Sequence, residues 1–525
     1  MQEIEIKEEA GDVVIDIALD TIKKEKQSLV FVGTKRSAEK QAEEIARKIK
    51  TTNPVLHEIS EKALHDLAKP TKQCERLARC LKHGTAFHHA GLTSGQKELI
   101  EENFRKGLIK IICCTPTLAA GVDLPAFRVV IKDLKRYGGK FGMNYIPVLE
   151  YLQMAGRAGR PKFDKNGQAI IIAKTEPEKE EVYERYILGE PEDVYSKLAV
   201  EPVLRSALLS LIASGFVRSR EEIMNFFEKT FWAYQFKDMA ELEHKIEKML
   251  KLLEEWDFIK SKSGSSEFVS AADIGGEESY AATQLGERVS QLYIDPLTAH
   301  NLVLAMEKAM SKSVLKAFSF LQIISSTLEM RPLLKVRAKE FEDIQEASAQ
   351  FEPYLLENEP SVYEPEYEDY LESIKTALMF QDWIDEKTEE HLLETYNVRP
   401  GESRVKLNIG DWLLYCADEI ARILNFKKIL KEIRKTRFRM KYGVREELLP
   451  LLKLEKVGRV RARVLFRNKI KTIGDVKKAD FVKLSQILGP RIAASVKEQL
   501  GEKVSKEQLM IPKGRRKGQL SLEKF

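Results

Sequence analysis

The chain has 525 residues, of which 43% are hydrophobic and 32% charged, with a net charge of +5. At roughly 100–200 residues per domain, this length predicts three to five domains and excludes a disordered or collagen-like chain. The longest apolar stretch, residues 203–217, carries Arg205 and is too short to span a bilayer, and the acidic start MQEIEIKEEA is no signal peptide. Five cysteines are too few for a disulfide scaffold, and Cys74 and Cys80 lack the partners of a zinc site. These features predict a reduced, cytoplasmic protein without a metal site or membrane contact.

Residues 1–178 read as an α/β domain with a parallel sheet. Apolar, β-branched runs at 28–32, 109–115, 127–131 and 169–173 predict buried strands, with helices at 37–50 and 94–106. The glycine-rich Tyr137-Gly-Gly-Lys-Phe141-Gly142 between apolar runs predicts a β-hairpin over about 129–148. Residues 190–297 read as a winged helix: helical over 198–256, with Leu204, Leu208, Leu211 and Ile212 on one stripe, then extended pieces at 258–261, 267–269 and 280–283. Residues 298–428 are mainly α, residues 429–505 form short helices, and 506–525 make a flexible basic tail.

Charge is distributed unevenly. From Glu340 to Thr395 there are 18 Asp/Glu against two Lys, whereas from Lys427 to Lys471 there are 17 Lys/Arg against four Glu. The acidic block reads as solvent-facing helix, and the basic block most simply faces phosphate.

The strongest chemical signal is Gln153-Met-Ala-Gly-Arg157-Ala-Gly-Arg160-Pro161. Two arginines three apart can share a helical face, and an arginine presented to a phosphoryl group stabilises transition-state charge worth about 10³–10⁵ in rate. Alone, the run also fits an ordinary phosphate-binding loop. Upstream lie Cys114-Thr115-Pro116-Thr117-Leu-Ala-Ala-Gly121-Val-Asp123, Phe31-Val-Gly-Thr34-Lys-Arg36-Ser-Ala-Glu39 and Phe87-His88-His89-Ala90-Gly91. Hydroxyls and amides at the carboxyl end of a parallel strand suit phosphate or sugar contacts.

In this order and spacing the four segments resemble motifs IV, IVa, V and VI of superfamily 2 helicases. The resemblance implies a second RecA-like domain, with Arg157 and Arg160 as finger residues, Gln153 beside them, and Gly121 and Asp123 on the nucleotide side. It also implies DNA contacts from Thr34, Arg36, His89, Thr115 and Thr117. The hairpin resembles the strand-separating pin of archaeal Holliday-junction-migration (Hjm) helicases, with Arg136, Tyr137 and Phe141 placed to stack on or wedge between bases. Tyr280-Ala-Ala-Thr283-x-Leu285-Gly286 is similar to the end of that family's winged helix, and 298–428 to its ratchet domain, in which Trp412 matches a base-stacking tryptophan. Val405 stands where the companion arginine is expected, with Arg404 adjacent.

Residues 452–465, carrying Arg459, Arg461 and Arg463 after Gly458, resemble a helix-hairpin-helix that offers amides and charge to a DNA phosphate. The tail holds Arg515-Arg516-Lys517, similar to a basic motif of the family and a candidate DNA contact. It ends with Gln519, Leu522 and Phe525 in the Q-x-x-L-x-x-F spacing of a sliding-clamp (PCNA) peptide.

No G-x-x-x-x-G-K-[ST] occurs, and Asp385-Glu386 and Asp418-Glu419 lie in helical contexts rather than after a strand. The expectation is therefore the C-terminal portion of an ATP-dependent 3′–5′ DNA helicase acting on single-stranded and forked DNA. It would use ATP and Mg²⁺ only when a separate first RecA-like domain supplies the phosphate-gripping lysine and the magnesium-holding acid, and it would work in the nucleoid. The alternative is a non-catalytic DNA-structure-binding protein that kept the scaffold.

Overall fold

The computed structural model describes residues 5–50, 53–137, 142–159, 164, 166–262 and 279–502. They fall into two units: Met1–Tyr195 together with Glu389–Val405, and Ser196–Thr388 together with Lys406–Phe525.

The first unit is built on strands β1 (Ser28–Phe31), β2 (Thr85–His88), β3 (Ile111–Cys114), β4 (Arg128–Ile131), β5 (Lys135–Tyr137), β6 (Met143–Tyr145) and β7 (Gln168–Ile171). Five of them form a parallel sheet in the order β2-β3-β1-β4-β7. Every residue of β1 to β4 is buried, as expected of strands covered by crossover helices on both faces. Cys113 and Cys114 belong to this core, and burial pushes both thiols well up in pKa. All five cysteines are free and buried.

Two features differ from the sequence reading. Thr85–His88 forms a strand that its short, mixed run does not announce. The hairpin is also shorter than residues 129–148. Val129, Val130 and Ile131 are fully buried in the central sheet, which claims any run apolar on both faces, so the hairpin is only β5 paired with β6. Arg136 pairs with Asn144, and Tyr137 with Met143. The tip, including Phe141, lies outside the described residues.

The second unit opens with helices Glu201–Ala213, Arg220–Phe227, Phe231–Phe236 and Met239–Glu255. Strands β8 (Ile259–Lys262) and β9 (Ser279–Ala282) then pair antiparallel, and helix Gln284–Leu292 follows. This is the helix-plus-wing arrangement; residues 267–269 lie outside the described set. The buried stripe of the first helix uses Leu204, Leu208, Leu209 and Ile212, whereas Leu211 is only half-buried.

A helical bundle follows, and its longest acidic helix is not the solvated surface its composition suggests. Glu366–Ile384 buries Tyr370, Ile374 and Phe380, and Lys375, one of the block's two lysines, is 4% exposed and pairs with Glu340 at 2.7 Å. Helices Arg459–Arg467, Phe481–Leu488 and Pro490–Gln499 gather around Leu451, Leu465, Leu484 and Val496.

Candidate nucleotide and DNA interface

The carboxyl ends of the parallel strands form the rim at which an open α/β sheet binds ligands. After β1, Thr34 accepts a hydrogen bond from Ser37 N at 3.0 Å and so caps helix Lys35–Lys48, leaving Thr34 and Arg36 exposed. After β3, the hydroxyls of Thr115 and Thr117 lie 2.9 Å apart, with Thr115 buried and Thr117 exposed. Thr117 opens the short helix Thr117–Gly121; a Cβ placed on Gly121 would meet nothing within 4 Å.

Motif VI docks onto motif V. Helix Val148–Ala155 stops before Arg157, which therefore lies beyond the helix; Gln153 is exposed on its last turn. The chain after it bonds to Ala126, two residues before β4: Ala126 N donates to Arg157 O (2.9 Å) and Gly159 N to Ala126 O (2.6 Å). Arg157 turns back onto motif V, donating Nε to Ala119 O at 3.2 Å and Nη1 to Asp123 Oδ1 at 3.1 Å, with Nη2 also on Ala119 O. Gly167 makes this approach possible, because a Cβ there would sit 2.4 Å from Gly159 N. Arg160 lies outside the described residues.

A charged cluster that motif matching missed sits at motifs IV and IVa. His89 is fully buried, so its side chain is not offered to a DNA strand. Its Nδ1 accepts from Gly91 N at 3.1 Å, which places the proton of a neutral ring on Nε2, 3.2 Å from Glu39 Oε1. Glu39 also takes Arg399 Nε at 3.0 Å and pairs with Arg76. Burial by itself raises the Glu39 pKa, but the adjacent His89 ring and the Arg399 charge outweigh it and hold the carboxyl at about 2. Burial lowers the His89 pKa by desolvating the charged ring, and the Arg399 charge adds to the effect, outweighing the pull of Glu39.

Arg399 arrives on the segment Glu389–Val405, which belongs to this unit although it is far away in sequence. Gly401 N donates to Gly91 O at 3.0 Å, and a Cβ on Gly401 would lie 2.2 Å from Leu92 O. Lys35 pairs with Glu402 nearby. A sequence signal existed in the Glu39 of motif IV and in Arg399-Pro-Gly401, but nothing local joins them.

The remaining candidates are spread out. In the hairpin, Arg136 is exposed and pairs with Glu150 at 3.0 Å, tying β5 to the motif VI helix. Tyr145 lies between Lys135 Nζ at 4.2 Å and the Arg185 guanidinium at 4.5 Å. Arg404 and Val405 are exposed, and Trp412 is half-buried, on helix Pro400–Ile423.

The three arginines after Gly458 have separate fates. Arg459 donates to Lys387 O and stacks 4.8 Å over Trp383; Arg461 is exposed and donates to Lys456 O. Arg463 is held by Glu386 at 2.6 Å and Glu447 at 2.9 Å, a structural tie that leaves it less available to phosphate. Arg515, Arg516, Lys517, Gln519, Leu522 and Phe525 lie outside the described residues. Among the described residues there is no group of three or more His, Cys, Asp or Glu able to hold a metal ion, and no helix long and apolar enough to cross a membrane.

A parallel five-stranded sheet whose motif VI folds back onto motif V, followed by a winged helix and a helical bundle, defines the C-terminal side of a helicase. Residues 10–162 match the helicase conserved C-terminal domain, 167–260 a helix-turn-helix domain, and 318–443 domain 4 of archaeal helicases. The chain is 38% identical over 501 residues to the ATP-dependent DNA helicase Hel308 of Methanocella arvoryzae, covering 94% of this chain and 65% of that protein. It is 39% identical to the Hel308 of Pyrococcus horikoshii (93% and 66%) and 35% identical to that of Methanococcus vannielii (96% and 69%). The chain belongs to the Hel308 family of helicases, and it spans about two thirds of the length of these relatives.

Proposed function

We propose that the chain is the C-terminal portion of an ATP-dependent 3′–5′ DNA helicase acting on forked or branched DNA in replication-coupled repair and recombination. The observation that carries this reading is the lock between motifs V and VI, in which Arg157 bonds to Ala119 O and Asp123. A protein that only bound DNA would have no use for a nucleotide-responsive arginine strand held at the sheet rim. Arg157 commits Nε, Nη1 and Nη2 to motif V, so in this reading it positions the strand and Arg160 is the finger.

ATP and Mg²⁺ bring the hydrolysable phosphoryl group and its charge neutralisation. Of the acids at this rim, Asp123 is engaged with Arg157 and Asp133 accepts from Gly33 N at 2.9 Å, and the sequence has no G-x-x-x-x-G-K-[ST], so the residues here do not fit a magnesium site. The lysine and acids must come from a P-loop domain, on the same polypeptide or a partner. In this reading the hairpin tip parts the strands, Trp412 stacks on a base, the C-terminal helices with Arg459 and Arg461 grip phosphate, and the tail meets DNA or a sliding clamp. The work is done in the cytoplasm, on the nucleoid.

The test supplies the chain with the P-loop domain of a family member and measures DNA-stimulated ATP turnover and DNA affinity for Arg160→Ala. Loss of hydrolysis with DNA affinity retained supports the reading. Equal loss of both makes Arg160 a DNA or structural residue. A complex with no turnover leaves the non-catalytic DNA-binding alternative.

A further inference from the structure

Helix Lys427–Tyr442 is divided lengthwise into two faces. Ile429, Ile433, Thr436 and Met440 are buried on one side. At 100° per residue, the opposite side carries Lys427, Lys431, Arg434, Phe438 and Lys441, all exposed. No acid lies on that line. The helix's single carboxylate, Glu432, points aside and pairs with Lys435 at 2.8 Å. Arg434 is braced by Asp418 at 2.6 Å, whereas Lys427, Lys431 and Lys441 have no carboxylate partner among the described residues. Phe438 is 53% exposed in the middle of the stripe and stacks on Tyr442 with ring centroids 6.3 Å apart.

We propose that this face is a binding track for single-stranded DNA, with the lysines on phosphates along the strand and Phe438 as a platform for one base. The proposal rests on the DNA-binding reading above and adds a site to it. An ordinary solvated helix mixes charge signs at i, i+4, but this stripe leaves three cations unneutralised and places an exposed aromatic ring among them. A polyanion supplies the missing charge. Its length agrees, because Lys427 and Lys441 stand 14 residues apart, roughly 21 Å at about 1.5 Å each, room for several nucleotides of a single strand. The exposed ring selects a single strand, whose bases offer open π-faces that a duplex keeps stacked.

The test titrates the full chain with labelled oligo-dT and with a blunt duplex of equal length at several salt concentrations. Lys427→Ala/Lys431→Ala should make the logarithmic salt slope for oligo-dT shallower by about 1.4, since each lost phosphate contact removes ~0.7. Phe438→Ala should weaken oligo-dT binding about fivefold or more and leave the duplex unchanged. Both variants alter exposed side chains, and far-UV circular dichroism checks that they fold. Unchanged oligo-dT affinity and slope in both variants overturn the proposal while the parent chain's DNA binding stands. Equal loss on duplex with Phe438→Ala overturns single-strand selection. No DNA binding by the parent chain would sink the functional reading and this track together.

Discussion

Arg399→Ala tests whether the buried cluster at motif IVa holds the segment 389–405 in the first unit. Glu39 is 3% exposed and Arg399 donates to it at 3.0 Å. Stripping one partner from a buried pair commonly costs ~3–5 kcal/mol because the other charge is left unsatisfied. Here Arg76 and His89 remain beside Glu39, so the expected loss is smaller, about 2–3 kcal/mol. Native-state hydrogen exchange should record it as faster local opening of helix Lys35–Lys48 and β2. The double variant Glu39→Gln/Arg399→Met removes both charges and should lose at least about 1 kcal/mol less than the sum of its single changes. A single-variant loss below ~0.5 kcal/mol, or strictly additive effects, would refute the claim that the two residues act as a pair.

Acid should weaken the first unit in two stages. The His89 pKa is lowered from 6.5, so its contribution is full above that value and falls as pH drops through it. Glu39 sits at about 2 against an ordinary 4.5, so at most ~3 kcal/mol is present above pH 4.5 and is lost as pH falls toward about 2. Denaturant titration at pH 7.5, 5.5, 4 and 3 should show the decline, and Arg399→Met should flatten its lower part; a flat profile contradicts the cluster's charge state. Gly401→Ala places a methyl group 2.2 Å from Leu92 O and should cost about 2 kcal/mol or more, read as increased exchange at 85–92; a neutral result would mean the two backbones can separate freely. Arg157→Ala should loosen motif V, giving faster exchange at Thr117–Gly121 even without nucleotide, whereas Arg160→Ala should not; equal behaviour would remove the positioning role of Arg157.

What could be read from sequence was what repeats locally. Buried parallel strands such as Leu29-Val30-Phe31 and Val129-Val130-Ile131 carry their burial in composition, and the motif VI glycines mark a close backbone approach that Gly159 and Gly167 then make. The approach of Arg399 to Glu39 could not be read this way, because 360 residues separate them and neither neighbourhood encodes the other. An apolar run does not say which sheet takes it, and Val129, Val130 and Ile131 pair with β1 rather than with the hairpin. Arg463 looked like its neighbours in a basic run, yet Glu386 and Glu447 hold it in place, and those carboxylates come from other segments. His89 looked polar and available, and burial beside Glu39 withdraws it. In each case charge count was legible and charge pairing was not.

In the proposed reading this chain grips DNA but needs a P-loop from elsewhere to use ATP. The direct measurement is ATP turnover by the purified chain with saturating forked DNA, before and after adding the P-loop domain of a family member, with DNA affinity followed in parallel. The expected result is DNA binding that falls steeply with salt, no turnover by the chain alone, and DNA-stimulated turnover once the domain is added. DNA-stimulated hydrolysis by the chain alone would contradict it.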